Sequence, residues 1–456
     1  MASFLLWSLV SFLYIHVHQA SSQCLNKQTL YSETFRSEAF TLGPGEVQDK
    51  YYYMEFPTGH IALRGFFAEV VDEQGVPVPL SEVYLHHWVV LNRYVKQNHT
   101  QKFLAQDYSK YRSVPSKLGG NDGVCPDHTL DQFFGLGSET RHTNTSIPYP
   151  YGIVVGDPNK IPDGYEELWV LNIHAIDTRG VEDRQGCTEC RCDLYNVTAT
   201  KNGKPLKNYQ GGLRCCTDGS QCSLSQGIPA ARKKLFLQYT VEWVEWDESV
   251  VPLKVYIFDV TDTGDGCKIE YDIPSSLGLP SDSIDIRETR VVSPPSGQVI
   301  YGVAHQHSGG KGATLYGEDG REICTSLPLY GSGANAGDEV GYIVGMTSCY
   351  PKPGSVNIND KELLRLQSNY STQQGHTGVM GLFYLLVASP QHGESTSKDG
   401  KFSSSSKSNS TLFKIVTGSK LSTSIVFGIV LASMATFIVA KHMRNRRALQ
   451  YEALTA

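Results

Sequence analysis

The chain has 456 residues, with 40 Lys and Arg against 46 Asp and Glu and a formal net charge of −6. That weakly acidic balance gives no electrostatic reason to expect a nucleic-acid partner. The length admits two or three domains. The eleven cysteines fit an oxidising compartment, where an odd count leaves at least one unpaired within the chain.

Residues 1–22 read as a cleaved signal peptide, with apolar runs Phe4-Leu5-Leu6-Trp7 and Phe12-Leu13-Tyr14-Ile15 before Ala20-Ser21-Ser22. An N-terminal β-sandwich domain is expected over 23–262. Its strands are read at Tyr51–Phe56, Ile61–Phe67 and Val83–Leu91, aromatic and β-branched runs divided by Gly and Pro. His86 and His87 adjoin within the third run. Neighbours on a regular strand face opposite ways, so both can serve one site only where the strand bulges. Residues 120–165, rich in Gly, Asn, Asp, Pro and Thr, read as long loops. Leu168–His174 is a strand, and Leu235–Trp243 alternates so that Leu235, Leu237, Tyr239, Val241 and Trp243 share a face.

Between these strands lies a Cys-rich insertion, 187–222, with Cys187, Cys190, Cys192, Cys215, Cys216 and Cys222. In a reducing compartment it would suggest a zinc cluster. Behind a signal peptide it reads as a disulfide-stapled insertion whose pairing stays open. A boundary near the turn cluster at 261–266 begins a C-terminal β-sandwich domain, 263–388. There, His305 and His307 in Val303-Ala304-His305-Gln306-His307 fall on one face of a strand, within reach of one metal ion. Met380 opens another apolar strand, for which core packing is the plain reading. Cys324 and Cys349 can bridge, and Cys125 and Cys267 are unassigned. Met346 reads as core. His376, in a Gly-rich turn, reads as a solvated loop residue, with support of a metal ligand as the alternative. His60, His99, His128 and His142 receive no role. Neither a Gly-X-Ser-X-Gly motif nor a phosphate-binding glycine loop occurs.

Residues 389–420 form a Ser/Lys-rich stalk that lacks the apolar residues for a core. Residues 421–440 are an uncharged apolar run of transmembrane length. Lys441, Arg444, Arg446 and Arg447 in the tail 441–456 place that tail in the cytoplasm and all before it outside. The expected location is therefore the plasma membrane, as a single-pass type I glycoprotein reached through the secretory pathway. Asn98, Asn144, Asn196, Asn369 and Asn409 stand in glycosylation sequons. Many short strands between turns make the fold class all-β.

The order His-His, His, His-X-His, Met, with its surroundings Tyr84-Leu-His-His-Trp-Val-Val, Val170-Leu-Asn-Ile-His and Met380-Gly-Leu-Phe-Tyr, resembles the copper type II, ascorbate-dependent monooxygenases. The resemblance implies two antiparallel jelly-roll-like sandwiches and two copper sites. His86, His87 and His174 would hold one copper, and His305, His307 and Met380 the other. Tyr384 would be a substrate contact, ascorbate the reductant, and dioxygen and an unknown small substrate the reactants. A thioether is soft and favours Cu(I). The chain departs from the peptide-processing members at Val303, where they carry a substrate-gripping arginine, and at Leu382, where they carry asparagine. Leu-His-His-Trp-Val-Val, Cys-Thr-Glu-Cys-Arg-Cys, Gly-Gly-Leu-Arg-Cys-Cys and Ala-His-Gln-His-Ser-Gly-Gly also resemble the plant stress up-regulated nodulin family, Nod19-like. Two functions follow as expectations. One is a membrane-anchored copper monooxygenase acting on an aliphatic C–H bond. The other is a non-catalytic cell-surface glycoprotein that binds copper or another ligand in stress or symbiosis. The residues do not give the oligomeric state.

Overall fold

The computed structural model describes residues 28–100, 116–123, 125, 130–195, 215–227, 231–264, 266–276 and 283–389. The strands in chain order are β1 (Tyr31–Arg36), β2 (Phe40–Leu42), β3 (Val47–Met54), β4 (Ile61–Asp72), β5 (Val83–Lys96), β6 (Ser116–Leu118), β7 (Phe134–Leu136), β8 (Tyr151–Val155), β9 (Tyr165–Asp177), β10 (Lys233–Glu245), β11 (Val251–Asp259), β12 (Glu270–Ile273), β13 (Ile284–Val292), β14 (Gly297–Gln306), β15 (Gly310–Tyr316), β16 (Glu322–Ser326), β17 (Pro328–Tyr330), β18 (Ile343–Met346), β19 (Asn357–Ile358), β20 (Leu363–Ser371) and β21 (His376–Ala388). A single short α-helix among the described residues, α1 (Arg184–Thr188), starts the Cys-rich insertion. The all-β expectation holds.

One ten-stranded sheet runs β1-β10-β4-β8-β11-β21-β14-β19, with β2 on β10 and β12 on β21. A second sheet runs β3-β9-β5-β6 with β7 on β5, and a third runs β13-β20-β15-β16. The first and second sheets pack face to face. Phe66 of β4 stacks on Trp88 of β5 with ring centroids 4.9 Å apart and on Tyr239 of β10 at 5.9 Å. Alternation along β10 drives this packing: Leu235, Leu237, Tyr239 and Val241 are buried and their neighbours are not. Trp243 does not follow that face as expected. The pairing with β4 shifts register between Glu242 and Trp243, so Val244 is buried and Trp243 only half-buried.

The third sheet covers β14 and β21. The Gln306 amide donates to Ser368 Oγ (2.9 Å), and the Tyr370 hydroxyl donates to the Met380 carbonyl (2.6 Å). The expected boundary at 262/263 falls within one sheet. β11 pairs with β21, which pairs with β14, and one apolar core reaches from Phe40 to Ala388. Among the described residues no helix is long and apolar enough to cross a membrane. The expected signal peptide, the stalk beyond Ser389, the transmembrane run and the tail lie outside the described residues.

Disulfides join Cys190 to Cys216, Cys192 to Cys215, Cys324 to Cys349 and Cys125 to Cys267. The insertion is therefore stapled, as expected, but not throughout. Cys187 and Cys222 are buried free thiols packed around the Tyr195 hydroxyl.

Candidate metal centre

The strand pair β5–β9 makes the first half of the site. Its register jumps between Leu85, opposite Ala175, and His87, opposite His174. His86 is the extra residue of a β-bulge, the irregularity that two adjacent ligands require. Both imidazoles consequently reach His174: ring centroids lie 4.4 Å from His86 and 4.9 Å from His87. One ring nitrogen from each of the three lies within 4.8 Å of the others.

The end of β14 makes the second half. His305 and His307 share a face, with rings 5.2 Å apart, and β21 lays Leu382 opposite His305. Met380, buried on the same strand, joins His87 and His305 in one cavity wall. The two sets of ligands expected from the sequence adjoin rather than stand apart. The His86 ring lies 4.6 Å from that of His307.

Burial and hydrogen bonding give this cluster its character. His86, His174, His305 and His307 are buried. His86 Nε2, His305 Nε2 and both ring nitrogens of His174 and His307 have no hydrogen-bond partner. Unsatisfied buried polar atoms are costly and rare, and a metal ion could satisfy the nitrogens concentrated here. The rings are held from behind. His87 Nε2 donates to Asn172 Oδ1 (3.0 Å), whose amide donates to Asp49 Oδ1 (2.9 Å). His305 Nδ1 donates to Glu139 Oε1 (2.5 Å), while Glu139 Oε2 accepts from the Gly137 amide (3.0 Å). Each bond fixes a tautomer whose other nitrogen faces the cluster, the arrangement that orients metal-ligating histidines.

Burial, followed by the neighbouring imidazoles, pushes His86 and His307 well below the ordinary histidine range. Burial also lowers His174, against the pull of Asp49. His87 is pushed down to about 3, by burial first and His174 second. Neutral imidazole is the metal-binding form.

Glu139, Asn172, Asp49 and Glu189 escape the sequence reading. Glu139 lies in the 3-10 turn Ser138–His142, inside a stretch read only as loop, and carries no motif. Asn172 was accessible, because it shares a strand face with His174 two residues on. His376 is a correction. It opens β21, is buried, and its Nδ1 meets Glu189 Oε1 at 2.5 Å. Its partner comes from the Cys-rich insertion, too distant in sequence to be foreseen. Through Glu189, and through the Cys190–Cys216 bridge beside His174, that insertion packs onto the site. His174, Cys190 and Cys216 also cluster at ligand distance, but the two sulfurs are spent on their disulfide. Met346 is buried core, as read.

A cavity of about 230 Å³ opens against this cluster. His87, His305, Met380, Asn172, Asp49, Leu130, Leu136, Leu382 and Tyr384 are among its lining residues. The Tyr384 hydroxyl accepts from the Gln132 amide (3.1 Å). Burial raises its pKa and keeps it protonated.

Comparison with solved structures returns two particles of infectious bursal disease virus. The VP2 subviral particle is 11% identical over 80% of this chain and 73% of that chain, with a TM-score of 0.18. The virus-derived T=1 particle is 12% identical over 80% and 70%, with a TM-score of 0.16. Likeness at that level carries no structural inference. No curated protein matches the chain. The model of the family described as stress up-regulated Nod 19 matches residues 28–390, and the chain belongs to that family.

Proposed function

We propose that this stress-related family member is a copper-binding, ascorbate-dependent monooxygenase that hydroxylates an aliphatic C–H bond of a small substrate, held outside the cell by a single membrane span. The observation that carries the reading is the convergence of five imidazoles, four of them with unpartnered nitrogens, beside a cavity that Met380 also lines. Imidazoles suit both copper oxidation states, and a thioether suits Cu(I). The donor set therefore fits copper, with His86, His87 and His174 on one side and His305, His307 and Met380 on the other. When bound, copper would supply one-electron chemistry with dioxygen. The chain's own part is to orient and enclose. Asn172 and Glu139 fix the His87 and His305 rings, and Leu130, Leu136 and Leu382 give the cavity apolar lining beside them. The two jelly-roll-like sandwiches implied by the same resemblance belong to this proposal.

A second reading is a cell-surface glycoprotein that binds copper or another ligand without catalysis. It is favoured by the replacement of both substrate-gripping positions, Val303 and Leu382, and by the adjoining of the two ligand sets. Dioxygen uptake by the copper-loaded full-length chain separates the two readings. Ascorbate-dependent uptake that rises when a small alcohol or hydrocarbon is added, and disappears in His305→Ala, supports the enzyme. Stoichiometric copper with no substrate-dependent uptake across such a panel supports the binding protein.

A further inference from the structure

The cavity carries information about what enters it. It rests against the proposed metal centre, so naming its ligand builds on that reading. Its size comes first. A cavity of roughly 150 Å³ lined by apolar side chains holds benzene, so about 230 Å³ accommodates roughly nine non-hydrogen atoms by the same scale. The chemistry of its walls comes second. Val89, Leu91, Leu130, Leu136, Ile269 and Leu382 are its aliphatic lining. No Lys or Arg among the described residues lines it, and its one carboxylate is Asp49. A carboxylate, phosphate or sulfate inside would lose its hydration, find no cation among the described lining residues and meet a like charge, each unfavourable. Apart from Asp49 and the two imidazoles, the polar side chains present, Tyr51, Gln132, Asn172 and Tyr384, are neutral hydrogen-bonding groups. Asp49 accepts from the Asn172 amide as part of the support behind His87, and a cationic probe tests whether its carboxylate also draws in a cation.

We propose that this cavity binds a small, uncharged, mainly apolar molecule of up to about nine non-hydrogen atoms by the scale above, with one neutral hydrogen-bonding group, such as an aliphatic or aromatic alcohol. Leu382 helps form its apolar wall. Ligands of this kind are selected by shape and desolvation, with a few placed polar groups setting orientation.

The test uses the purified full-length chain and three probes of matched length: hexan-1-ol, hexanoate and hexylamine. Binding is measured by calorimetry and by ligand-detected NMR on chelator-stripped protein, so that coordination to a metal cannot contribute. The expected result is binding of hexan-1-ol at least tenfold tighter than either charged probe. It should be lost in Leu136→Trp and weakened about tenfold in Leu130→Phe, two variants that fill the cavity from different walls. Melting curves confirm that the variants remain folded. Tighter binding of hexanoate or hexylamine, or hexan-1-ol binding unchanged in both folded variants, overturns the proposal. Metal content is measured on the same preparations before stripping. A chain that binds hexan-1-ol but never metal refutes the copper reading and leaves the cavity assignment standing. A chain that binds metal but no hexan-1-ol does the reverse.

Discussion

Single residues decide whether the histidine cluster is a metal site or a set of core side chains. A buried imidazole that serves only packing satisfies its nitrogens within the protein. Here Asn172 and Glu139 satisfy one nitrogen each on His87 and His305; the other His87 nitrogen meets His86 Nδ1 at 3.3 Å, and His305 Nε2 is left without a partner. Removing either support should loosen the site without removing a ligand. Asn172→Ala is expected to lower copper affinity by about ten- to a hundredfold in a competition titration against a chelator. Glu139→Gln keeps an acceptor but loses the charge, and should cost about tenfold. Unchanged affinity in both variants would show that these residues only fill space.

The same burial makes a pH prediction for the metal-free chain. The depressed pKa values of His86, His87, His174 and His307 mean that the unfolded chain takes up protons at an ordinary histidine pKa near 6.5 while the folded chain does not. Stability is therefore fully present above about pH 6.5 and falls as pH drops below it, continuing toward about 3 for His87. The informative interval is just below pH 6.5, above the titration of ordinary carboxylates. Urea midpoints for metal-free protein should decline there. A flat profile would contradict the burial of neutral imidazoles.

Strands explain how ligands distant in sequence meet. Two adjacent histidines require a bulge, and β5 has one at His86. The His-X-His pair needs only alternation, and it falls where β14 ends at Gln306, with His307 the next residue and the two rings 5.2 Å apart. Those geometries were legible because strand periodicity dictates them. What was not legible is the turn that closes the site from the side. It begins at Gly137, where an added Cβ would lie 2.4 Å from the His86 carbonyl oxygen and 3.0 Å from His305 Cε1. Gly137→Ala must push the two halves of the cluster apart, at a cost of about 1–3 kcal/mol. A lower melting temperature together with weakened copper binding is the expected pair of results. A variant with unaltered copper affinity would place Gly137 outside the site's architecture. Glu139, two residues on, was hidden for the same reason. Its role comes from tertiary contact with a strand distant in sequence, and no local pattern encodes that.

At the scale of the whole molecule, the class of fold was readable from strand density, while its division was not. The strands on either side of the turn cluster at 261–266, β11 and β12, both pair antiparallel with β21, and the principal sheet continues through β11, β21 and β14. The Cys125–Cys267 bridge spans a sequence separation of 142 and ties the loop before β7 to the segment after β11. Losing so long a closure should destabilise the chain. Cys125→Ser with Cys267→Ser is expected to lose about 2–5 kcal/mol in chemical denaturation, whereas an unchanged midpoint would mean the bridge constrains little. The insertion shows the same limit of sequence reading. Its cysteines announced staples, but its placement over the histidines, through Glu189 and His376, follows only from the fold. The measurement that tests the central claim most directly is the copper content of the full-length chain after reconstitution, beside that of the His305→Ala plus His307→Ala variant. Two coppers per chain, falling to one in the variant, is the predicted result. No copper in the intact chain, or equal copper in both proteins, would contradict it.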